Sequence, residues 1–182
     1  MGDSPPLRPS DATLEQLIAG EHTVMREHLD HMRSVADDAH LEIPLTLRNR
    51  LDAVLSFLHN DLVAHIQTEE EIIYPAFEGV TNADWSSQAM LIDHEAITAM
   101  LGQLDSAIVD IRRAHWRDNI QRLVYVLEAV IRLHLDKEDR MSTPLMGQLD
   151  SRTVELLRQR LAEHAVQHHH APWGFSAHPR PK

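Results

Sequence analysis

The chain has 182 residues, 43 % of them apolar and 25 % charged, the composition of one globular domain with a substantial core. A net charge of −11 argues against non-specific nucleic-acid binding and against docking on anionic membranes. The absence of cysteine excludes a disulfide framework, a thiolate zinc site, an iron–sulfur cluster and a cysteine nucleophile, whereas 14 histidines ask for a reason.

Residues 1–10 hold three prolines and read as a flexible leader. That segment lacks the apolar stretch of a signal peptide, and no apolar run in the chain approaches membrane-spanning length. Met1-Gly2 would suit myristoylation, but Pro6 stands where Ser or Thr is required. A cytoplasmic location is the expectation.

From Asp11 the pattern is helical: Leu14, Leu17, Ile18, Met25, Leu29 and Met32 recur at three- and four-residue steps to about Asp38. Pro44 suits a first helical turn, and Leu51, Val54, Leu55, Leu58, Leu62 and Ile72 carry the period to Pro75. Asn82 or Asp84 can open a third helix bearing Met90, Leu91, Ile97, Leu101, Leu104, Ile108 and Ile111. A fourth runs from about Asp118 through Leu123, Leu127 and Ile131 to Met141, ending before Pro144, and a shorter fifth spans about Ser151 to Val166. Strand alternation is not sustained anywhere and the connections are short. The expectation is all-α: an up-down-up-down four-helix bundle over residues 11–166 with a short extra C-terminal helix, and a disordered tail at 167–182.

A repeat lies inside this pattern. The second helix carries His65, Glu69 and Glu70 with Pro75 following; the fourth carries His134, Glu138 and Asp139 with Pro144 following, and the two align without a gap. Glu21-His22 with Met25 and Leu29 matches Asp93-His94 with Ile97 and Leu101 more loosely. The domain therefore reads as two related helical hairpins facing one another across a pseudo-two-fold axis.

Residues four apart share a helical face, so His65 projects with Glu69 and His134 with Glu138. Each pair, like His22 and His94, lies in the apolar stripe that must face the core. Burying six ionisable groups there would cost several kcal/mol per unpaired charge, which two bound cations would remove. Four imidazoles and two carboxylates suit iron, with manganese and zinc as secondary candidates. In the symmetric arrangement His22 and His65 hold one metal, His94 and His134 the other, and Glu69 and Glu138 bridge both. The remaining positions on each metal stay open to solvent and an exogenous ligand. A single HxxxE is weak evidence, often a solvated ion pair; two copies in register, each joined by a histidine from another core stripe, are strong.

The other histidines do not share this logic. His28 and His31 are rotated off the face of His22; His40, His59 and His115 fall at helix ends or on polar faces. His164 and His168 are spaced i,i+4 and, like His168 to His170, could hold a stray ion, but a terminus is a poor place for a preorganised site and they read as solvated surface. Trp85, Trp116 and Trp173 read as helix-end packing or tail; Tyr74 follows the site by one turn, within reach of it, but reads first as plain core packing.

At these residues the chain resembles the hemerythrin-like, or HHE cation-binding, family, whose pattern is a lone His, HxxxE, a lone His and HxxxE on four successive helices. Here those are His22, His65 with Glu69, His94, and His134 with Glu138, and Tyr74-Pro75 and Pro144 fit as well. The resemblance covers about Asp11 to Met146. It implies a non-haem di-iron centre, small ligands (oxygen, hydrogen peroxide or nitric oxide), an unidentified electron donor, and a catalase-like activity or a non-catalytic sensing or storage role. One departure stands out: oxygen-carrying hemerythrins have a second histidine one turn after the helix-three ligand, where this chain has Thr98. Iron–sulfur repair relatives add a cysteine-bearing domain, and this chain has no cysteine. The Glu-x-x-His pairs of ferritin-like oxidases occur nowhere on these helices.

Overall fold

The computed structural model describes residues 13–79, 87–109 and 115–168, with the backbone alone at 143, 162 and 164–168. The expected leader, the helix start at Asn82 or Asp84, Ile111, Trp85, Trp173 and the tail beyond His168 lie outside these residues, as do the side chains of His164 and His168.

The described residues form a helical bundle without strands: α1 (Leu14–Asp37), α2 (44–78), α3 (Gln88–Val109), α4 (Trp116–Met146) and α5 (Ser151–His168). Around the bundle α1 packs on α2 and α4, and α3 packs on α4 and α2, while α5 lies against α1. None of the helices is long and apolar enough to cross a membrane.

The helix starts follow local chemistry. Thr13 caps α1 in a reciprocal box with Gln16, each side chain taking up the other's backbone N–H. Pro44 sits in the first turn of α2, where its missing N–H costs nothing. Asp150 accepts from the N–H groups of Arg152 and Thr153 at the head of α5.

Two prolines expected to end helices do not. In α2 the helix passes through Pro75 to Glu78 because a π turn, Glu69–Ile73, precedes the proline. There the Tyr74 N–H reaches back five residues to the Glu69 carbonyl, a wider turn that absorbs the proline's demand. A second π turn occupies Leu58–Leu62. In α4 the helix runs past Pro144 to Met146. Only the last turn is affected by the lost N–H, and Leu145 and Met146 are buried in an apolar cluster that holds it in place.

The core is divided. One apolar cluster includes Met25, Leu62, Ile66, Ile97, Leu101, Ile131 and Leu135. The other gathers Leu14, Ile18, Ile73, Tyr74, Met90 and Leu145 with Leu157 and Leu161 of α5. Along α1 the break between them falls at His22, along α3 at His94, and along α2 and α4 at the two HxxxE pairs.

Candidate metal centre

All six polar residues expected on the core stripes are buried: His22, His65, Glu69, His94, His134 and Glu138, each no more than 3 % exposed. The four long helices bring them together in two adjoining groups. One joins His22, His65, Glu69 and Glu138; the other joins Glu69, His94 and His134. In the first, His65 Nε2 lies 2.7 Å from Glu69 Oε1, and His22 Nε2 lies 3.3 Å from Glu138 Oε2. In the second, His94 Nε2 is 3.1 Å from both Glu69 Oε2 and His134 Nε2. Glu69 therefore spans the two groups with its two oxygens, whereas Glu138 joins the first alone, a departure from the symmetric pair of bridges.

Four atoms of the first group, His22 Nε2, His65 Nε2, Glu69 Oε1 and Glu138 Oε2, are buried without a hydrogen bond of good geometry, although His65 Nε2 and Glu69 Oε1 stand only 2.7 Å apart. Buried polar atoms left so are costly and rare. These four converge on one point from three helices, so the donor set fits a cation. Its chemistry, imidazole nitrogen plus carboxylate oxygen without sulfur, is that of iron, manganese or zinc.

The electrostatics of the cluster reflect crowding. Burial pushes the Glu138 carboxyl well above the usual range, and the neighbouring Glu69 charge adds to this. Burial also opposes ionisation of Glu69, but the His65 charge and hydrogen bonds from its neighbours overcome it and hold Glu69 well below its ordinary value. His65 shows the reciprocal balance: desolvation lowers it, and Glu69 more than compensates. His22 is lowered, by burial first and by His65 second.

Each imidazole turns Nε2 inward and Nδ1 outward to a carboxylate. Asp139 meets His22 at 2.6 Å, Glu21 meets His65 at 3.4 Å, Glu70 meets His94 at 2.8 Å and Asp93 meets His134 at 3.3 Å. All four acids stand beside a core-stripe residue in sequence, and the internal repeat contains them, but its alignment assigns them no role.

Tyr74 also belongs to the site. Its hydroxyl donates toward Glu69 Oε2 at 3.3 Å and stands 3.4 Å from His94 Nε2, with the two rings stacked. Burial, then the Glu69 charge, raises the phenol far above its ordinary range, so it stays protonated. Thr98 shows the opposite displacement: it is exposed, and Ile97 and Leu101 fill the core face of α3 beyond His94. The position that distinguishes the oxygen-carrying pattern is thus on the surface side of this helix.

The remaining histidines with described side chains belong to neither group. His28 stacks on Phe57, His59 pairs with Asp105, and His40 and His115 both reach Asp118. Trp116 packs at the start of α4, as expected of a helix-end residue.

Searches among curated proteins and among solved structures give no match. The Hemerythrin HHE cation binding domain, in contrast, matches residues 13–146, the stretch that supplies every residue of both groups. The chain belongs to the hemerythrin HHE cation-binding family.

Proposed function

We propose that this domain holds two iron ions side by side and reacts with oxygen, hydrogen peroxide or nitric oxide. The observation that carries the reading is Glu69, whose two oxygens reach into two groups of buried imidazoles. His22, His65, Glu69 and Glu138 would hold one ion, and Glu69, His94 and His134 the other. Iron held there supplies a redox-active Lewis acid with positions left for a small ligand. The chain's own part is to exclude water with the two apolar clusters, to present four nitrogen lone pairs, and to keep the protonated Tyr74 hydroxyl beside Glu69. The up-down-up-down order of the four long helices and a cytoplasmic setting belong to the same proposal.

The test is elemental analysis of the purified protein together with its optical spectrum under oxygen, peroxide and nitric oxide. Two irons per chain and spectral responses to these ligands are expected; a protein that takes up no iron would end the proposal. Steady-state peroxide consumption then separates turnover from a sensing or storage role.

A further inference from the structure

The four carboxylates outside the buried groups form a closed circuit. Glu21 of α1 meets His65 of α2, Glu70 of α2 meets His94 of α3, Asp93 of α3 meets His134 of α4, and Asp139 of α4 returns to His22 of α1. Each long helix thus gives one carboxylate to the imidazole of the next. Exchanging the two hairpins maps every pair onto another: Glu21–His65 onto Asp93–His134, and Asp139–His22 onto Glu70–His94. Exposed acids scattered at random would not close such a ring.

We infer that Glu21, Glu70, Asp93 and Asp139 are positioning residues that hold each imidazole as the Nδ1–H tautomer, with its Nε2 lone pair aimed into the bundle. The reason is donor–acceptor chemistry. Both nitrogens of a ring such as His65 face a carboxylate, and a carboxylate only accepts; a neutral ring whose Nε2 is to donate to a metal shared with Glu69 or Glu138 must therefore carry its one proton on Nδ1, toward the outer acid. The same contact fixes the ring's rotation and raises its basicity as a ligand. Two of the four acids are themselves steadied by a cation: Arg26 lies 2.6 Å from Asp139 and also binds Asp136, and Lys137 pairs with Asp93. The ring fastens neighbouring helices together at the level of the buried groups, so positioning the ligands and aligning the helices are one act.

This inference rests on the proposed metal centre for its purpose but not for its test. The tautomers can be read without metal, from long-range proton–nitrogen NMR spectra of the metal-free protein labelled at histidine nitrogen, recorded at a pH high enough that His65 and His94, whose values are raised, are neutral. Asp139→Ala and Glu70→Ala should lose the Nδ1–H signature at His22 and His94 respectively and leave the other rings unchanged. Asp139→Asn and Glu70→Gln, which keep an accepting oxygen, should restore it. In anaerobic Fe(II) titrations the alanine variants should bind about 10–100-fold more weakly, and the amide variants should recover much of the loss. Folded alanine variants with the parent's tautomers and Fe(II) affinity would overturn the inference. If Asp139→Ala fails to fold, the outcome at the more exposed Glu70 decides it. A parent that shows the four tautomers yet binds no Fe(II) would refute the metal reading and leave the positioning role standing.

Discussion

Tyr74 and Glu69 are joined twice across five residues: the Tyr74 N–H bonds the Glu69 carbonyl, and the Tyr74 hydroxyl donates to Glu69 Oε2 at 3.3 Å. In an ordinary α-helix a residue five positions on has turned well away from its partner. The π turn at Glu69–Ile73 removes that rotation, so the buried face shifts from the expected Ile72, which is half-buried, to Ile73 and Tyr74. A backbone irregularity thereby delivers a hydroxyl to the metal-binding face.

Tyr74→Phe should keep the fold, since the ring remains stacked on His94 and packed in its cluster. The loss is one buried donor to Glu69, worth on the order of 1 kcal/mol in the metal-free protein. Denaturant unfolding measures it, and iron per chain should stay at the parent's value while the optical spectrum changes. An unaltered spectrum and unaltered stability would show that the hydroxyl does not act on the site.

The two central glutamates should differ in their effects. Glu69 reaches both groups and Glu138 only the one built on His22 and His65. Glu69→Ala should therefore reduce bound iron from two toward none, whereas Glu138→Ala should weaken chiefly the ion held by His22 and His65. Elemental analysis after dialysis distinguishes the two. Equal losses from both variants would restore a symmetric pair of bridges.

The stripes made most of the site legible. His22, His65, Glu69, His94, His134 and Glu138 each interrupt an otherwise apolar row, and all six are buried together. What the rows could not reveal is the helix's local pitch. Near the π turns apolar residues are dense enough (Leu58, Leu62, Ile66, Ile72, Ile73) that two registers fit the same letters, and Tyr74 is core-facing in one alone. Spacing alone does not place Thr98 for a related reason: four residues from His94 admits a position on the edge of the face, and packing of Ile97 and Leu101 decides which side of the edge is wet. The outer acids were in plain view, but an acid beside a core histidine has the same pattern as a solvated surface charge.

Metal loading should raise the unfolding temperature. Four buried polar atoms of one group are crowded together without well-formed hydrogen bonds, and anything that binds the native state at 100 times its dissociation constant adds about 2.7 kcal/mol per site. Scanning calorimetry of chelator-treated and Fe(II)-loaded protein under nitrogen provides the comparison. Superimposable traces from the two samples would mean that these residues do not hold the ion.

The last prediction concerns acid sensitivity outside the site. His28 and His31 lie on α1 toward α2, and burial lowers the pKa of both from 6.5, although Asp61 and Glu27 oppose the shift at His28. Both rings are then neutral in the native protein at a pH where the unfolded chain has begun to take up protons. As pH falls below about 6.5 the unfolded state binds more protons than the native state, so stability declines. His65 and His94 have the opposite sign: their values are raised, so their contribution is full below 6.5 and is lost as pH rises through the folded values. The net slope of the parent mixes these terms, and the informative quantity is a difference between proteins. Metal-free parent, His28→Gln and His31→Gln should be unfolded by urea at several values from about pH 7 to about pH 5. Glutamine does not titrate in this window, so each variant loses one histidine's contribution and its stability should fall less steeply with acid than the parent's, whatever its stability at neutral pH. Removing the stacking of His28 on Phe57 will lower the His28→Gln baseline without altering that comparison. Parallel pH profiles for all three proteins would show that these two histidines stay as accessible to protons in the folded chain as in the unfolded one.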